Sequence, residues 1–522
     1  MSIENPGESL SIQLRQISLH VITAFALLVL SAASSYGQTT NCATAPDPTK
    51  NFLQNFLNSC YAFGFPANLG NGQNASDLTE TYAGFFYLVN PGYEVILVGD
   101  FPQSRYLNVA VDDSHLFTQV SFFDAQLTPL SSSYVNPFLP GATYQPNQLY
   151  AVAVQFGGTE PANIQAGCGF GGLNFHANLV DATKRHPGIS WNGSPIVYPG
   201  FPAHDDAGPN LGGMVTVRQY LNQTSSAGYG ILSTPIAIVR DLSTGCAVPL
   251  ANAVANDPNN IAPSQVITRN TTIATNWIDN AQIWAHKAFR AMKPTYCYAL
   301  SPATAQWFKP DIYVPNPNPD SGYLVANISS TALNWVIANQ EFMRLRFQLP
   351  TMPSTPCSGC SISGSEQMRY FDLSFADNQG VNLATIGTQN LVTDPNGYVT
   401  LIVGFGSAPP SYVTAENYYS YLDLSKVPGY TNFLNIGLRD VLTSSTFACS
   451  ANAVYNKASE GNSLGGFMGQ YVPVIDVLKG VNIPPVATPV QVPQSCGLVP
   501  PERPTVCAPG VYPQSPSVTA AN

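Results

Sequence analysis

The sequence predicts a mainly β protein built from two tandem β-sandwich or jelly-roll-like domains related by internal duplication, with a helix between them. Three observations carry that prediction. RYLNVAVDD at Arg105 to Asp113 is nearly repeated as RYFDLSFAD at Arg369 to Asp377. Both copies alternate as strands do, because side chains i, i+2 and i+4 share a face. Only 10% of the 522 residues are charged, and polarity comes instead from Asn, Gln, Ser, Thr and 26 tyrosines. An ordinary soluble domain carries about 25% charged residues.

The two copies keep the same parity. Arg105, Leu107, Val109, Val111 and Asp113 lie on one face, and Arg369, Phe371, Leu373, Phe375 and Asp377 on its equivalent. Tyr106, Asn108, Ala110 and Asp112 take the opposite face in the first copy, and Tyr370, Asp372, Ser374 and Ala376 in the second. The Arg and Asp at the ends of each run are about 26 Å apart along an extended chain, too far to pair. Each is expected to pin one strand end to a neighbouring loop.

Residues 1–37 read as an export signal. Arg15 precedes an apolar run from Val21 to Leu30, small residues follow at Ser31 to Ser35, and cleavage is expected after Gly37. The run is shorter than the ~20 residues of a membrane span, so no stable span is expected after cleavage. The polar leader with Glu4 and Glu8 leaves an uncleaved anchor as the alternative. Cys42 follows Thr-Thr-Asn, which is not a lipoprotein signature. Secretion or a periplasmic location is therefore expected.

All ten cysteines, Cys42, Cys60, Cys168, Cys246, Cys297, Cys357, Cys360, Cys449, Cys496 and Cys507, follow that segment. An even number in an exported chain points to disulfides. Proximity suggests 42/60, 168/246 and 496/507, and the other four admit several connectivities. Asn74, Asn192, Asn222, Asn270 and Asn327 begin N-x-S/T sequons.

The first β-rich domain is assigned to 38–265. Asp47-Pro48 is a helix start, and Phe52, Leu53, Phe56, Leu57 and Tyr61 follow it at helical spacing. Strands are expected at Phe85 to Val89, Val95 to Phe101, Arg105 to Val111, Thr118 to Phe122 and Leu149 to Phe156, punctuated mostly by Pro, Gly, Asn and Asp. A connecting helix is placed in 266–300, over Thr271 to Lys293. Ile273, Trp277, Ala281, Trp284 and Ala288 mark its apolar stripe, Lys287, Arg290 and Lys293 suit its C-terminal dipole, and Pro294 ends it.

The second β-rich domain, 301–483, repeats the order of the first. Tyr323 to Val325 answers Tyr87 to Val89, and Met343 to Leu349 answers Val95 to Phe101. Pro395-Asn396 with its following strand answers Pro146-Asn147, and Leu438 to Leu442 answers Val217 to Leu221. Residues 484–522 form a Pro-rich tail.

Pro317-Asn318-Pro319-Asp320-Ser321-Gly322-Tyr323 and the strand at Arg369 resemble the signature of exported bacterial proteins carrying the domain of unknown function 1254, often joined to a 1214-type domain. The resemblance covers mainly 317–405, with a fainter echo in the first half. It departs at Asp372, where a serine is expected, and at the Cys357/Cys360 insertion. It implies a β-rich fold and export, and brings no established catalytic residues. Arg105, Tyr106, Arg369, Tyr370, Asp320 and Tyr323 are the binding candidates drawn from the repeated strand and this signature.

The catalytic candidates are local clusters. Ser463 lies in a G-x-S-x-G sequence, which presents a nucleophile when it forms a strand-to-helix elbow. Here no convincing strand precedes it, and Gly466 and Gly469 disfavour a helix after it, so a glycine-rich loop is preferred. Cys357 and Cys360 have the spacing of a redox pair or half a zinc site, but lie in a Ser/Gly/Pro loop where a structural disulfide is the preferred reading. His204, Asp205 and Asp206 share a Pro/Gly-rich loop that can bend imidazole and carboxylates together, and His176 and His186 are the metal-ligand candidates to join them. Asp112, Asp113 and His115 form another such cluster. A solvated loop is the simpler reading of both.

A net charge of −10 excludes nucleic acid or an anionic membrane as the expected partner. No cofactor is expected. Aromatic residues on sandwich faces can stack on sugars, but in strands they more often serve the core or cross-strand pairs, so the partner is left unknown, with a polysaccharide or envelope component as the candidate. The overall expectation is a non-catalytic binding or cell-envelope-associated protein. A secreted hydrolase or metal-dependent enzyme with a site between the halves is the alternative.

Overall fold

A computed structural model describes residues 62–64, 80–89, 91–113, 118–159, 173–183, 190–191, 194–195, 212–220, 235–248, 307, 320–328, 336–339, 341–353, 362–377, 382–455 and 468–479. The expected helices after Asp47 and over Thr271 to Lys293, the sequence around Ser463, and the Pro-rich tail lie outside them. The protein is mainly β and divides into two compact units, the first built chiefly on Thr81–Ala281 and the second on Gln282–Thr355 and Ser363–Asn522. No described helix is long and apolar enough to cross a membrane.

In the first unit the strands are β1 (Ala62–Gly64), β2 (Glu80–Leu88), β3 (Tyr93–Asp100), β4 (Tyr106–Asp113), β5 (Thr118–Phe123), β6 (Leu149–Gln155), β7 (Leu179–Asp181), β8 (Ser190–Trp191), β9 (Ser194–Pro195), β10 (Gly212–Tyr220), β11 (Ile236–Asp241) and β12 (Ala247–Val248). One sheet runs β2-β10-β4-β5, and the other β1-β11-β3-β6-β7. Val95 and Leu97 from β3 and Val152 and Val154 from β6 share a core with Leu107, Val109 and Val111 from β4 and Val215 and Val217 from β10. Alternate residues of two sheets thus meet in one layer, as in a sandwich.

The second unit contains β13 (Ser321–Asn327), β14 (Glu341–Gln348), β15 (Met368–Asp377), β16 (Asn382–Gly387), β17 (Tyr398–Gly404), β18 (Tyr419–Asp423), β19 (Phe433–Thr443) and β20 (Val474–Lys479). Its sheets run β13-β19-β15-β16 and β18-β17-β14-β20. These are the orders of the first unit, except that β1 and β12, which both pair with β11, have no counterpart among the described strands of the second. Phe371, Leu373 and Phe375 enter the core with Leu345, Leu401 and Leu438, which is the face expected from the alternation.

The duplication extends to register and irregularities. Asn108 stands opposite Arg218 and Asp372 opposite Arg439. Val95 stands opposite Val154 and Met343 opposite Val403. The register shifts between Val111 and Asp112 in one unit, and between Phe375 and Ala376 in the other, so both strands carry a bulge at the same place. Each unit also ends one sheet on a parallel pair, β6 with β7 and β17 with β18.

Candidate functional site

The residues of the repeated strand are built into the sheets. Arg105 and Tyr106 are buried, as are Arg369 and Tyr370. The Arg105 N–H donates to the Tyr220 carbonyl at 2.9 Å, tying the strand end to β10. Tyr106 meets Tyr220 edge to face at 5.3 Å. Arg218 Nη1 donates to Asn108 Oδ1 at 2.9 Å, and the equivalent pair in the second unit is ionic, with Arg439 Nε 3.6 Å from Asp372 Oδ2. Ser374 Oγ donates to Asp372 Oδ1 at 2.9 Å. Asp372, which stands where the family resemblance expects a serine, is therefore the counter-charge of Arg439.

The signature residues are also structural. The Asp320 carbonyl accepts from Leu442 N at 2.8 Å, and the Arg439 guanidinium lies over the Tyr323 ring at 5.2 Å. Gly322 has a steric cause: a Cβ there would stand 2.3 Å from the backbone N of Asn452, in the short helix Ala451–Tyr455.

His204, Asp205, Asp206, His186, His115 and Ser463 lie outside the described residues, as do Cys357 and Cys360. His176 is described, and its partner is one that local sequence does not reveal. Its Nε2 is 2.8 Å from Glu94 Oε2, while Arg240 Nε is 2.8 Å from Glu94 Oε1. Gln155 Nε2 donates to Glu94 Oε2 at 3.3 Å. Glu94 is fully buried, Arg240 nearly so, and the His176 side chain is 21% exposed. A buried carboxylate with three cationic or polar partners is stable where an unpaired one would be costly. Among the described residues no group of three or more His, Cys, Asp or Glu can hold a metal ion.

The arrangement best suited to a ligand is the outer face of β14-β17-β18 in the second unit. Parity sends Phe342, Arg344 and Arg346 of β14 to that face, where Ile402, Val413 and Tyr419 join Phe342 in an apolar base. Tyr412, Tyr418 and Tyr421 are half-buried around it. Arg346 is held by Asp394 at 2.5 Å, by Thr400, and by the Tyr398 ring at 5.0 Å. Arg344 is half-buried and stands opposite Asp476 in the register of β14 with β20.

The loop before β18 presents the phenols rigidly. Asn417 Nδ2 donates to the Tyr412 carbonyl at 2.9 Å, and Tyr419 N donates to the Thr414 carbonyl at 3.0 Å. The Tyr421 hydroxyl crosses Gly404, where a Cβ would be 2.3 Å away, and donates to the Ser407 carbonyl at 3.3 Å. Tyr418 has φ 63°, a left-handed conformation unfavourable for a bulky side chain. Such strain gathers at ligand clamps, where the surrounding structure enforces it. Burial raises the Tyr419 hydroxyl above the ordinary tyrosine range, with Arg344 acting against it, Tyr412 adding to it, and Arg346 opposing it more weakly. Tyr421 is raised by burial and by Asp423. Both are neutral hydrogen-bonding groups at physiological pH.

Sequence reasoning placed the strand at Met343 to Leu349 and the Pro395-Asn396 turn with its following strand but named no site residue on this face, although two signals for it exist. Asp394-Pro395-Asn396-Gly397 is a turn sequence, and the Asp394 side chain accepts from the backbone N–H groups of Asn396 and Tyr398, each at 2.9 Å. The tyrosines at 412, 418, 419 and 421 form a local cluster.

Fold and site define a mainly β protein of two duplicated sandwiches with an aromatic, arginine-bearing outer face. No family model matches the chain, and no curated protein matches it either. It is similar to an uncharacterised protein from Burkholderia cenocepacia, with a TM-score of 0.42 and 12% identity over 88% of this chain and 90% of that one. It is also similar to the VPA0106 protein from Vibrio parahaemolyticus, with a TM-score of 0.35 and 11% identity over 78% of this chain and 92% of that one.

Proposed function

We propose that the protein is an exported, disulfide-containing, non-catalytic binding protein of the cell envelope, and that it receives a polysaccharide on the outer face of β14-β17-β18. The observation that carries this reading is the set of half-buried phenols at Tyr412, Tyr418 and Tyr421 beside Arg344, with Tyr418 held at φ 63°. Tyrosine rings offer flat apolar faces to the C–H side of a pyranose, and their hydroxyls and an arginine satisfy its oxygens. Export is supported by the apolar leader, by the resemblance to proteins with the 1254-type domain, and by Cys246 and Cys449, which are both disulfide-bonded.

Affinity electrophoresis of the oxidised chain through gels containing single polysaccharides tests the proposal. Retardation by at least one, reversed by its soluble oligosaccharide, is expected. Unchanged mobility in every gel would remove the reading. The enzymatic alternative rests on His176, whose ring is oriented by Glu94 as a general base would be. It predicts newly released reducing ends on incubation with the same polymers.

A further inference from the structure

We propose that the outer face of β14-β17-β18 selects a neutral polysaccharide over an acidic one, and that each protein holds one such chain. The inference rests on the glycan-binding reading and adds to it a charge class and a stoichiometry. The pairing of charges on the face carries the first claim, and the duplication carries the second.

The cations of this face and its loops stand with carboxylates. Arg346 Nη2 is 2.5 Å from Asp394 Oδ2, with both side chains buried. Lys426 Nζ is 3.6 Å from Asp423 Oδ2. Arg344 shares a cross-strand position with Asp476 in the register of β14 with β20. A further carboxylate, Glu416, is fully exposed in the loop that carries Tyr412 and Tyr418. Its own backbone N–H and the Thr414 hydroxyl hold it below the ordinary glutamate range, so it is ionised at neutral pH. No cation pairs with it among the described residues. A uronate chain brings a negative charge with every residue, finds these cations already committed, and meets the field of Glu416. A neutral pyranose asks only for hydrogen bonds and ring contacts, which a paired arginine and the tyrosines still supply.

The first unit repeats the sheet but not the face. The register that aligns Val95 with Met343 sets Ile96 against Arg344 and Val98 against Arg346. Ile96 and Val98 join Ala151 and Ala153 in an apolar layer that Leu130 and Phe175 cover. Leu130 belongs to a segment with no counterpart in the second unit, because twenty residues separate Gln126 from Pro146, whereas five separate the equivalent Asn390 from Pro395. That segment is tied down over the sheet. Leu130 N donates to the Leu149 carbonyl at 2.8 Å, and the Leu130 carbonyl accepts from Asn174 N at 2.9 Å. Asn178 Nδ2 donates to the carbonyls of Thr128 at 3.0 Å and Ala151 at 2.7 Å, which fixes the other end of the turn Phe175–Ala177. The position that carries the aromatic, arginine-bearing face in the second unit is thus closed by the chain itself in the first.

Isothermal titration of the full oxidised chain with hexasaccharides of glucose, galactose and mannose, and with the matching oligouronates, tests this at physiological salt. One neutral oligosaccharide per chain is expected, bound at least about tenfold more tightly than its uronate counterpart. Glu416→Lys is expected to narrow that preference severalfold by adding a cation beside the tyrosines. Tyr412→Ala is expected to weaken neutral binding about tenfold, with the circular dichroism spectrum retained. Equal or tighter binding of the uronate overturns the charge class and leaves the glycan-binding reading standing, and a preference that Glu416→Lys leaves unmoved overturns its electrostatic cause. Two neutral oligosaccharides per chain overturn the closure of the first unit. Binding that Tyr412→Ala leaves unchanged, or no oligosaccharide bound at all, overturns both this inference and the reading it rests on.

Discussion

Asp440→Asn should stabilise the second unit at neutral pH and abolish a pH dependence that the native protein carries. Asp440 lies on the core face of β19, fully buried between Gly322 and Phe371 on the neighbouring strands. Its Oδ2 accepts from Ala451 N at 2.6 Å, and its Oδ1 has no hydrogen bond among the described residues. Burial raises its pKa from 3.8 to about 7, against the lowering effect of the Ala451 N–H. The folded state therefore binds this proton more tightly than the unfolded chain. Stability from neutral Asp440 is fully present below about pH 4, falls as pH rises to about 7, and is constant above that. A shift of about three units corresponds to about 4 kcal/mol over that window. Asparagine keeps the acceptor for Ala451 N and has no charge to desolvate. Urea unfolding of the oxidised chain and the variant, compared between pH 4.5 and 8, measures the effect. The stability difference should grow with pH in favour of Asp440→Asn, reaching about 2–4 kcal/mol at pH 8. A difference that is flat with pH, or that favours the native residue at pH 8, would refute the argument.

Gly322→Ala places a Cβ 2.3 Å from Asn452 N and 2.7 Å from the Ala451 carbonyl carbon, and should cost about 2–4 kcal/mol in denaturant unfolding, because both neighbours are backbone. Glu94→Gln leaves the buried Arg240 without its counter-charge and should cost about 3–5 kcal/mol. His176→Gln, at the exposed end of the same cluster, should cost less than about 1 kcal/mol. Asp372→Ser restores the serine of the resembled signature but strands Arg439, and about 2–3 kcal/mol should be lost in the same unfolding measurement.

The duplication was legible because strand alternation and spacing are local properties. The strands expected from Arg105 and from Arg369 form as Tyr106–Asp113 and Met368–Asp377, and the aligned pairs Val217/Leu438 and Arg218/Arg439 occupy equivalent cross-strand positions, although their pairing was not read from the sequence. The strands β2 and β13 begin earlier than their apolar runs, because the polar residues Glu80 and Ser321 already belong to them. The helix Ala451–Tyr455 is short, and its legible signal was Ser450, whose Oγ accepts from Ala453 N at 3.0 Å as an N-cap does. The polar pairs could not be read. Glu94 meets Arg240 and His176 only because β3, β11 and the turn Phe175–Ala177 are folded together. The outer faces of β4 and β15 were likewise read only as opposite the core, whereas Asn108, Asp112, Asp372 and Ser374 are all buried there. The 15-residue difference around Tyr134 was present in the sequence, but acquires meaning only once Gln126 and Asn390 are known to be equivalent.

Tyr418→Gly tests the central claim most directly, because it separates binding from folding. Glycine accepts φ 63° freely, so relief of backbone strain offsets the lost packing of a half-buried ring, and stability should change by no more than about 1 kcal/mol. Binding of the retained polysaccharide should fall at least about tenfold. A variant that loses stability while binding unchanged would contradict the account, and make Tyr418 a structural residue of its loop.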